Sequence, residues 1–349
     1  MKRKSFGTIS VVFAVLLIGA SSRTSGAADF YQGKTIRFIV GFAAGGGYDS
    51  YTRTVARHMS KHLPGHPATV VENMEGAGSV LAANHLYNRV EPDGLTVGVW
   101  NSHNVFNDAM GDKSIRIDGR KIGWIGTPGK DTVVCAVMAS TGLKSFADIR
   151  KSKKPIKMGA TRAGNTVHLP MMLNKWAETN FAVIPGYGGT SKIRLAMRSK
   201  EVDGACWTWE SMRTTARAML DAGGEDRLIP FIIHRRWDEP AVKNIPTFSE
   251  VFKNQNDQLA YDAWNAANEF ARPFSVPPGT PKNRLESLRR AFAATMKDPE
   301  FIADARKSKL DLNYISAPEI EKYVEQIYSM PDSVRDNLQF LMRKGAAQS

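Results

Sequence analysis

The chain has 349 residues, two cysteines and a formal net charge of +13 at neutral pH. A basic chain can attract nucleic acid or anionic surfaces, but the positive charges here are dispersed along the sequence. The densest basic run, residues 151–157, is interrupted by Ser152 and Pro155 and contains no aromatic residue. It therefore indicates a solvated face rather than a nucleic-acid patch.

The first 28 residues have the features of a signal peptide. Residues 2–4 are basic, and residues 11–20 form an apolar run that is too short to cross a bilayer as a helix. The small residues that follow suit cleavage by signal peptidase. We predict that residues 1–28 are a cleaved signal peptide, with an uncleaved anchor as the alternative. The remaining chain is long enough for two domains of ordinary size.

Residues 35–59 predict a strand, a glycine-rich turn and a helix. Hydrophobic residues alternate over positions 36–40, as in a strand that is covered on both faces. The glycines at positions 45–47 allow a close approach of the backbone to another group. Asp49 or Ser50 is expected to cap the helix that follows.

The same pattern continues along the first part of the chain. Residues 68–73 predict a second strand, residues 74–79 a second glycine turn, residues 80–87 a helix and residues 95–100 a third strand. Strands that alternate with helices in this way are typical of a parallel sheet with crossover helices.

Polar turns directly follow these predicted strands, at residues 45–49, 76–79 and 101–104. Ligands of open α/β sheets lie beyond the carboxyl ends of the strands, so the turns together predict a small-ligand site. For the first turn alone, three interpretations stay open: a turn that needs glycine for its geometry, a small-anion site at a helix N-terminus, and a nucleotide site. Neither glycine motif of nucleotide-binding folds is present.

The second half of the chain repeats this organisation without a strict sequence repeat. A strand at residues 122–127 precedes a crossing to a second domain at residues 128–131. The predicted elements beyond it are strands at residues 132–138, 156–160, 181–184, 201–209 and 228–234, helices at 145–149, 167–178 and 191–198, and glycine turns at 161–166 and 185–190.

The chain is expected to return to the first domain over residues 263–271. We therefore predict a first domain of residues 29–130 and 263–349 and a second domain of residues 131–262. A hinge motion would then act at residues 127–132 and 261–270.

The two cysteines, Cys135 and Cys206, each stand in a predicted strand. An oxidising compartment permits a disulfide, but a bridge requires a specific Cβ geometry that a sequence does not show. We expect two buried free thiols, with a disulfide as the alternative.

Trp207 and Trp209 flank Thr208 at the end of a predicted strand, so both rings are expected on one face. Two core aromatic residues are one interpretation, and a ring that lines the apolar side of a cleft is the other.

The sequence does not assemble the groups that catalysis requires. It has no Gly-x-Ser-x-Gly elbow. His58 and His62 could chelate a metal, but no acidic third ligand lies nearby, so we expect ordinary exposed histidines. His103 and His168 stand beside polar turns and are expected to donate a hydrogen bond to a ligand or to the turn itself. We predict no catalytic residue, no metal and no cofactor.

A series of short motifs then occurs in a fixed order along nearly the whole mature chain. They lie at residues 36–53, 71–78, 92–96, 159–168, 185–189, 245–250 and 277–281. In this order they resemble the substrate-binding proteins of tripartite tricarboxylate transporters, the Bug receptors. Four features differ from the family pattern. Gly41 stands where the family often has proline, Tyr48 is bulky where the family has a small hydroxyl residue, and residues 185–189 lack the family's lysine. Arg162 stands in a turn that is serine-rich in the family. Arg162 adds a carboxylate donor if it faces the cleft.

The resemblance implies an α/β fold of the periplasmic binding protein type II kind, with two α/β domains, a hinge and an interdomain ligand cleft. It implies a periplasmic receptor that binds a small organic acid and delivers it to the large and small membrane permease subunits of a transporter. We expect a monomer that does not bind nucleic acid and is not an enzyme. An exported enzyme acting on a small carboxylate and a carboxylate sensor for a signalling partner are the alternatives.

The resemblance also implies which loops hold the ligand, through backbone N–H groups, hydroxyls and bound water. The residues expected at the ligand are Phe42, Ala44, Gly46, Gly47, Tyr48, Asp49, Gly78, Ser79, Asn101, Ser102, His103, Thr161, Arg162, Gly164, Asn165, Thr166, His168, Tyr187, Gly188, Gly189, Thr208 and Trp209.

Overall fold

The computed structural model describes residues 30–342 of the chain, apart from residues 163 and 253. The predicted signal peptide lies outside the described residues. In the part of the chain that is described, no helix is both long and apolar enough to cross a membrane.

The strands of the described residues form two sheets. They are β1 (Thr35–Val40), β2 (Ala68–Asn73), β3 (Thr96–Val99), β4 (Gly123–Thr127), β5 (Val133–Met138), β6 (Ile156–Gly159), β7 (Phe181–Ile184), β8 (Gly204–Thr208), β9 (Leu228–Ile233), β10 (Phe274–Val276) and β11 (Ile315–Ser316).

α-Helices pack on both sheets, and short 3₁₀ segments stand between several of the helices and strands. They are α1 (Gly47–Met59), α2 (Val80–Arg89), α3 (His103–Ala109), α4 (Phe146–Lys151), α5 (Asn165–Ala177), α6 (Thr190–Arg198), α7 (Trp209–Thr215), α8 (Arg217–Leu220), α9 (Phe248–Val251), α10 (Gln255–Asn265), α11 (Lys282–Thr295), α12 (Pro299–Lys307), α13 (Ala317–Tyr328) and α14 (Asp332–Leu338).

The first sheet has six strands in the order β11-β4-β10-β3-β1-β2. β1 runs parallel to β2 and to β3, which confirms the predicted parallel unit. β10 lies antiparallel between β3 and β4. The sequence pattern does not predict β10, because three residues are too few to show a periodicity.

The second sheet has five strands in the order β7-β6-β8-β5-β9. β6 is parallel to β7 and to β8, as in the first sheet, whereas β5 is antiparallel to β8 and to β9. The fold is therefore two mixed α/β sheets with helices, and the predicted fold class of two α/β domains is confirmed.

β1 is buried, as its pattern of hydrophobic residues predicts. Ile36 and Phe38 have no exposed surface and share a core with Val55 and Met59 of α1. Burial of each such side chain stabilises the fold by about 1.5–3 kcal/mol. This core holds the start of α1 at the carboxyl end of β1, where the candidate site lies.

The chain passes between the sheets at two crossings, from β4 to β5 and from β9 to β10. The crossings touch each other, because Asp131 N donates to the carbonyl of Asn268 at 2.9 Å. Arg272, on the second crossing, forms an ion pair with Asp131 on the first. The predicted hinge residues thus lie side by side, while the hinge motion itself stays a prediction.

The expectation of two free thiols is wrong, because Cys135 and Cys206 form a disulfide. The residues are directly opposite each other in the antiparallel pair of β5 and β8, with their Cα atoms 3.9 Å apart. The sequence could not show this register, since it depends on how two strands distant in the chain pair in the sheet.

Candidate functional site

A cavity of about 60 Å³ lies between the two sheets. A single water needs roughly 10–15 Å³ on this measure, so the cavity has room for several waters or a small ligand group. Residues from both sheets line it: Phe42, Ala43, Gly46, Gly47, Tyr48, Asn101, Asp131, Thr161, Asn165, Thr166, Thr190, Trp207, Thr208, Ser211, Asn268 and Arg272.

The first wall of the cavity is the turn of residues 42–48, at the carboxyl end of β1. The helix α1 begins at Gly47, and its N-cap residue Gly46 supplies no side-chain cap. The prediction that Asp49 or Ser50 caps the helix is therefore wrong, since both residues lie inside its first turns. The uncapped N–H groups and the helix dipole favour an anion at this end.

Asp49 holds the first wall in place from behind. Its carboxylate accepts hydrogen bonds of 2.9 Å from Gly45 N, Arg53 Nε and Asn73 Nδ2. Burial opposes its ionisation, but the bonds from Arg53, Gly45 and Asn73 outweigh burial and lower the pKa of Asp49. Asp49 is thus an ionised support of the glycine turn and does not itself line the cavity.

The second wall consists of Thr161, Asn165, Thr166 and Thr190, at the starts of α5 and α6. Thr166 Oγ1 accepts from Thr161 N at 3.0 Å and closes the turn. Gly164 has a φ of +83°, and a Cβ at this position would lie 2.5 Å from Asn101 Nδ2. Glycine suits this position because of the positive φ and because Asn101, which follows β3, packs directly against it.

The floor of the cavity consists of Asp131, Thr208, Ser211 and Arg272. The guanidinium group of Arg272 forms an ion pair with Asp131 and donates from Nη2 to Thr208 Oγ1 at 2.9 Å. It also lies 4.5 Å from the centre of the Tyr51 ring, within the range of a cation–π interaction. Arg272 is only 2% exposed, so its orientation is closely determined.

Glu210 lies beneath the floor, with both carboxylate oxygens 3.0 Å from Thr132 N. Burial, and after it the negative charge of Asp131, raises the pKa of Glu210 to about 8. Burial thus favours the neutral form of Glu210, whose negative charge would lie close to that of Asp131.

Nine of the residues that the sequence predicts at the ligand line this cavity. They are Phe42, Gly46, Gly47, Tyr48, Asn101, Thr161, Asn165, Thr166 and Thr208. The structure brings them together, and their contact with a ligand stays a prediction.

Other predicted residues support these from behind or lie at the edge of the cleft. Ser79 Oγ accepts from Asn101 N at 2.8 Å, and Ser102 Oγ donates to the Ala267 carbonyl at 2.6 Å. The Gly188 carbonyl accepts from Ala43 N across the cleft. Gly78, Gly164 and Gly189 shape the turns without lining the cavity, and Ala44 is exposed.

Two aromatic residues that were predicted at the ligand lie elsewhere. Tyr187 directs its hydroxyl to Glu201. Trp209 is buried in the second domain's core because β8 ends at Thr208, so Trp209 opens α7 instead of continuing the strand. Trp207 is the tryptophan that reaches the cavity.

His103 and His168 are buried next to each other, outside the cavity. The Nδ1 atom of His103 lies 3.2 Å from Asn101 Oδ1, and His168 Nδ1 accepts from Trp264 Nε1 at 2.9 Å. Burial lowers the pKa of His168 to about 3 and that of His103 well below its usual value. Both are thus neutral, and His103 orients the predicted ligand residue Asn101.

Arg162 does not line the cavity between the sheets. It lines a separate, wider cavity of about 680 Å³ and pairs with Asp112 at 3.1 Å. The condition for a role in gripping a ligand carboxylate, that Arg162 faces the cleft, is not met in this conformation.

Sequence reasoning missed Asp131, Ser211, Asn268 and Arg272. Ser211 follows the end of β8, so the rule that polar residues after a strand bind ligands could have found it. Asp131 precedes the start of β5, where the rule does not apply. Arg272 and Asn268 lie on a crossing between domains, which shows no periodicity or motif.

No group of three or more His, Cys, Asp or Glu residues is placed to hold a metal ion within the described ranges. His58 and His62 instead pair with Asp304 and Asp298, at 3.0 and 2.8 Å.

Comparison with known proteins identifies relatives along most of the chain. The model of a family described as "Tripartite tricarboxylate transporter family receptor" matches residues 51–334. A UPF0065 protein of Bordetella pertussis is 28% identical over 306 residues, which cover 86% of this chain and 87% of that protein.

Solved structures share the same fold. The periplasmic binding protein BugD has a TM-score of 0.69 at 19% identity and covers 89% of this chain and 98% of its own. Rpa4515 of Rhodopseudomonas palustris, solved with adipate, has a TM-score of 0.68 at 16% identity over 87% and 97% of the two chains. MatC of the same organism, solved with bound malate, has a TM-score of 0.66 at 17% identity over 89% and 99%.

Proposed function

Because this chain belongs to the tripartite tricarboxylate transporter receptor family, we propose that it binds a small carboxylate in the cavity between its two sheets. It is a solute-binding receptor and not an enzyme, as its family is. The bound acid would be passed to one large and one small permease subunit in the membrane. The receptor would act as a monomer in the periplasm, after removal of residues 1–28.

The observation that carries this proposal is the convergence of helix N-termini on one cavity. Gly47 of α1, Asn165 of α5 and Thr190 of α6 each line the cavity at the start of a helix. Each such end attracts negative charge, and the three ends come from both walls. The malate of MatC and the adipate of Rpa4515 are small dicarboxylates, which supports this ligand class.

The two sides of the cleft touch in this conformation through residues in and beside the walls, which supports closure over the ligand. Ala43 N donates to the Gly188 carbonyl at 3.4 Å, and Arg194 donates to the Gly45 carbonyl at 3.3 Å. Opening would separate these pairs by a hinge motion at the two crossings, so that an acid could enter.

A thermal-shift panel tests the proposal. The mature chain is heated with mono-, di- and tricarboxylates, amino acids and aromatic acids, with malate and adipate as the first probes. An acid at 100 times its Kd stabilises the folded protein by about 2.7 kcal/mol. The diamide of the best acid is the control and should give no shift. If no acid shifts the melting temperature, the proposed function is wrong.

A further inference from the structure

Two buried polar groups at the floor of the cavity have no hydrogen-bond partner among the described residues. They are Nε of Arg272 and Oγ of Ser211. The two residues are 2% and 4% exposed, and both line the cavity. Buried donors are satisfied in most native proteins, so two orphaned groups at one place call for a missing partner.

These two atoms converge on the start of α1. A Cβ atom built on Gly47 would lie 2.7 Å from Ser211 Oγ and 3.8 Å from Arg272 Nε. The first-turn N–H groups of α1 open at the same point. Three kinds of donor therefore surround one small space, and a carboxylate oxygen is the acceptor that suits them all.

The arginine is held in position before any ligand arrives. Its backbone has a φ of +56°, a left-handed conformation that non-glycine residues rarely adopt. Asp131 and Thr208 hold Nη1 and Nη2, and the Tyr51 ring lies against the guanidinium plane. Strained backbone of this kind persists where the surroundings demand a particular side-chain direction. Nε–H is thus fixed in direction and available.

We propose that Arg272 binds one carboxylate of the ligand directly, donating from Nε–H beside the Ser211 hydroxyl and the first turn of α1. This inference rests on the proposed function and names the charged anchor within that site. Among the described residues that line the cavity, Arg272 is the single cationic side chain. The far end of the ligand meets the hydroxyl and amide groups of Thr161, Asn165 and Thr166 instead.

With this arrangement, binding requires one free carboxylate on the ligand, whereas the other end of the ligand can carry a neutral group. For a dicarboxylate, the monoamide still presents a carboxylate to Arg272, whereas the diamide does not. We expect the monoamide to bind within about tenfold of the acid and the diamide at least about 100-fold more weakly, since a charge-assisted pair is lost.

The ligand series is measured by calorimetry with the best acid of the panel, its monoamide and its diamide. A monoamide that binds as poorly as the diamide would contradict a single charged anchor. If no acid binds, the proposed function fails; if acids bind but the series is flat, only the anchor fails.

Gly47→Ala tests the anchor in the protein without breaking the ion pair of Arg272. The added methyl group would lie 2.7 Å from Ser211 Oγ and 3.0 Å from Ser211 Cβ, so it displaces the Ser211 hydroxyl from its place beside Arg272 Nε. We expect Kd to rise at least about 30-fold, with a modest fall in melting temperature because the buried Ser211 side chain must repack, so affinity is measured well below that temperature. Gly223→Ala is the matched control, because a Cβ there meets nothing within 4 Å.

Arg272→Gln and Ser211→Ala remove the two donors themselves. We expect losses of about 100-fold and about fivefold in affinity, with Arg272→Lys between them because lysine keeps the charge but not the Nε geometry. Arg217→Gln, an exposed arginine paired with Asp221, is the control. If Arg272→Gln does not fold, the proposal is tested with Gly47→Ala and Ser211→Ala. Wild-type affinity in both of these variants would overturn it.

Discussion

The two walls of the cavity are held in place by different interactions. The first wall is supported by the ionised Asp49, which ties Gly45, Arg53 and Asn73 together. The second wall is closed by neutral hydroxyls, with Thr166 accepting from Thr161 N. The side-chain charges that support the first wall thus lie behind it, and the charged side chains that line the cavity are those of the floor, Asp131 and Arg272; the described residues of the second wall that line the cavity are uncharged.

This difference suggests that ligand affinity and ligand specificity come from different parts of the cavity. A preorganised charged group binds an anion strongly but discriminates little between acids. Hydroxyls and amides contribute less energy, yet they reject a ligand that leaves them unpaired. Arg272 of the floor, beside the uncapped start of α1 in the first wall, would therefore supply affinity, and the second wall would distinguish one small acid from another.

The underlying sheets differ as well, and this leads to the largest expected effect on stability. The second wall stands on a sheet whose strands β5 and β8 are joined by the disulfide Cys135–Cys206, across 71 residues. Removing both cysteines by Cys135→Ala and Cys206→Ala should lower the free energy of unfolding by about 4 kcal/mol, since the unfolded chain regains loop entropy. Urea unfolding measures the loss.

Ligand affinity in the same double variant should change less than threefold, because the disulfide lies in the core away from the cavity. An equal stability of the variant and the oxidised wild type would show that the second sheet does not depend on the cross-link.

Glu210, beneath the floor, should make the stability of the protein depend on pH, and this is the second largest effect that we expect. Its pKa is raised from 4.5 to about 8 in the folded protein, so the folded state holds this proton more tightly than the unfolded state. The stabilisation is complete below pH 4.5 and is lost as the pH rises towards 8, by an amount on the order of a few kcal/mol.

Glu210→Gln should remove this dependence. The stability of the variant relative to wild type should therefore be greater at pH 8.5 than at pH 5. Urea unfolding at both pH values measures the gain, and Glu91→Gln on the surface is the control. A constant difference between wild type and variant would mean that Glu210 is ionised throughout.

Asp49→Ala breaks the charged support of the first wall. Three hydrogen bonds are lost, so the turn of residues 42–48 loses its fixed position, and Kd should rise about 30-fold, or about 2 kcal/mol. Calorimetry with the best acid measures the change. Asp221→Ala removes a matched pair four residues apart, with Arg217, and should leave Kd unaltered. Wild-type affinity in Asp49→Ala would remove the first wall from the binding site.

Thr166→Val makes the corresponding change in the second wall and should have a smaller effect. The substitution keeps the shape of the side chain but removes the acceptor for Thr161 N, at a cost of about 1 kcal/mol and a fivefold rise in Kd. Thr179→Val is the control. Thr179 lies just beyond α5, and the substitution removes a hydroxyl that donates to Asn174. A loss as large as that of Asp49→Ala would refute the contrast between the walls.

The parts of this site that could be predicted from sequence are the locally encoded ones. The turn at Gly46 and Gly47 follows an alternating strand, and Thr161 and Thr166 stand beside a glycine turn, so pattern alone places them at strand ends. Arg272 could not be found, because its position depends on a crossing that packs two domains together. The disulfide was missed for the same reason, since only the sheet register sets Cys135 opposite Cys206.

Arg162 predicts the smallest effect and sharpens the contrast with Arg272. Both are arginines near the cleft, but Arg162 is paired with Asp112 at 3.1 Å, is 36% exposed and lines the other cavity. Arg162→Ala should change Kd less than twofold, and equally for a monocarboxylate and a dicarboxylate. Calorimetry with both acids measures this. A selective loss for the dicarboxylate would mean that Arg162 turns into the cleft when ligand binds and that the second wall also carries a charged contact.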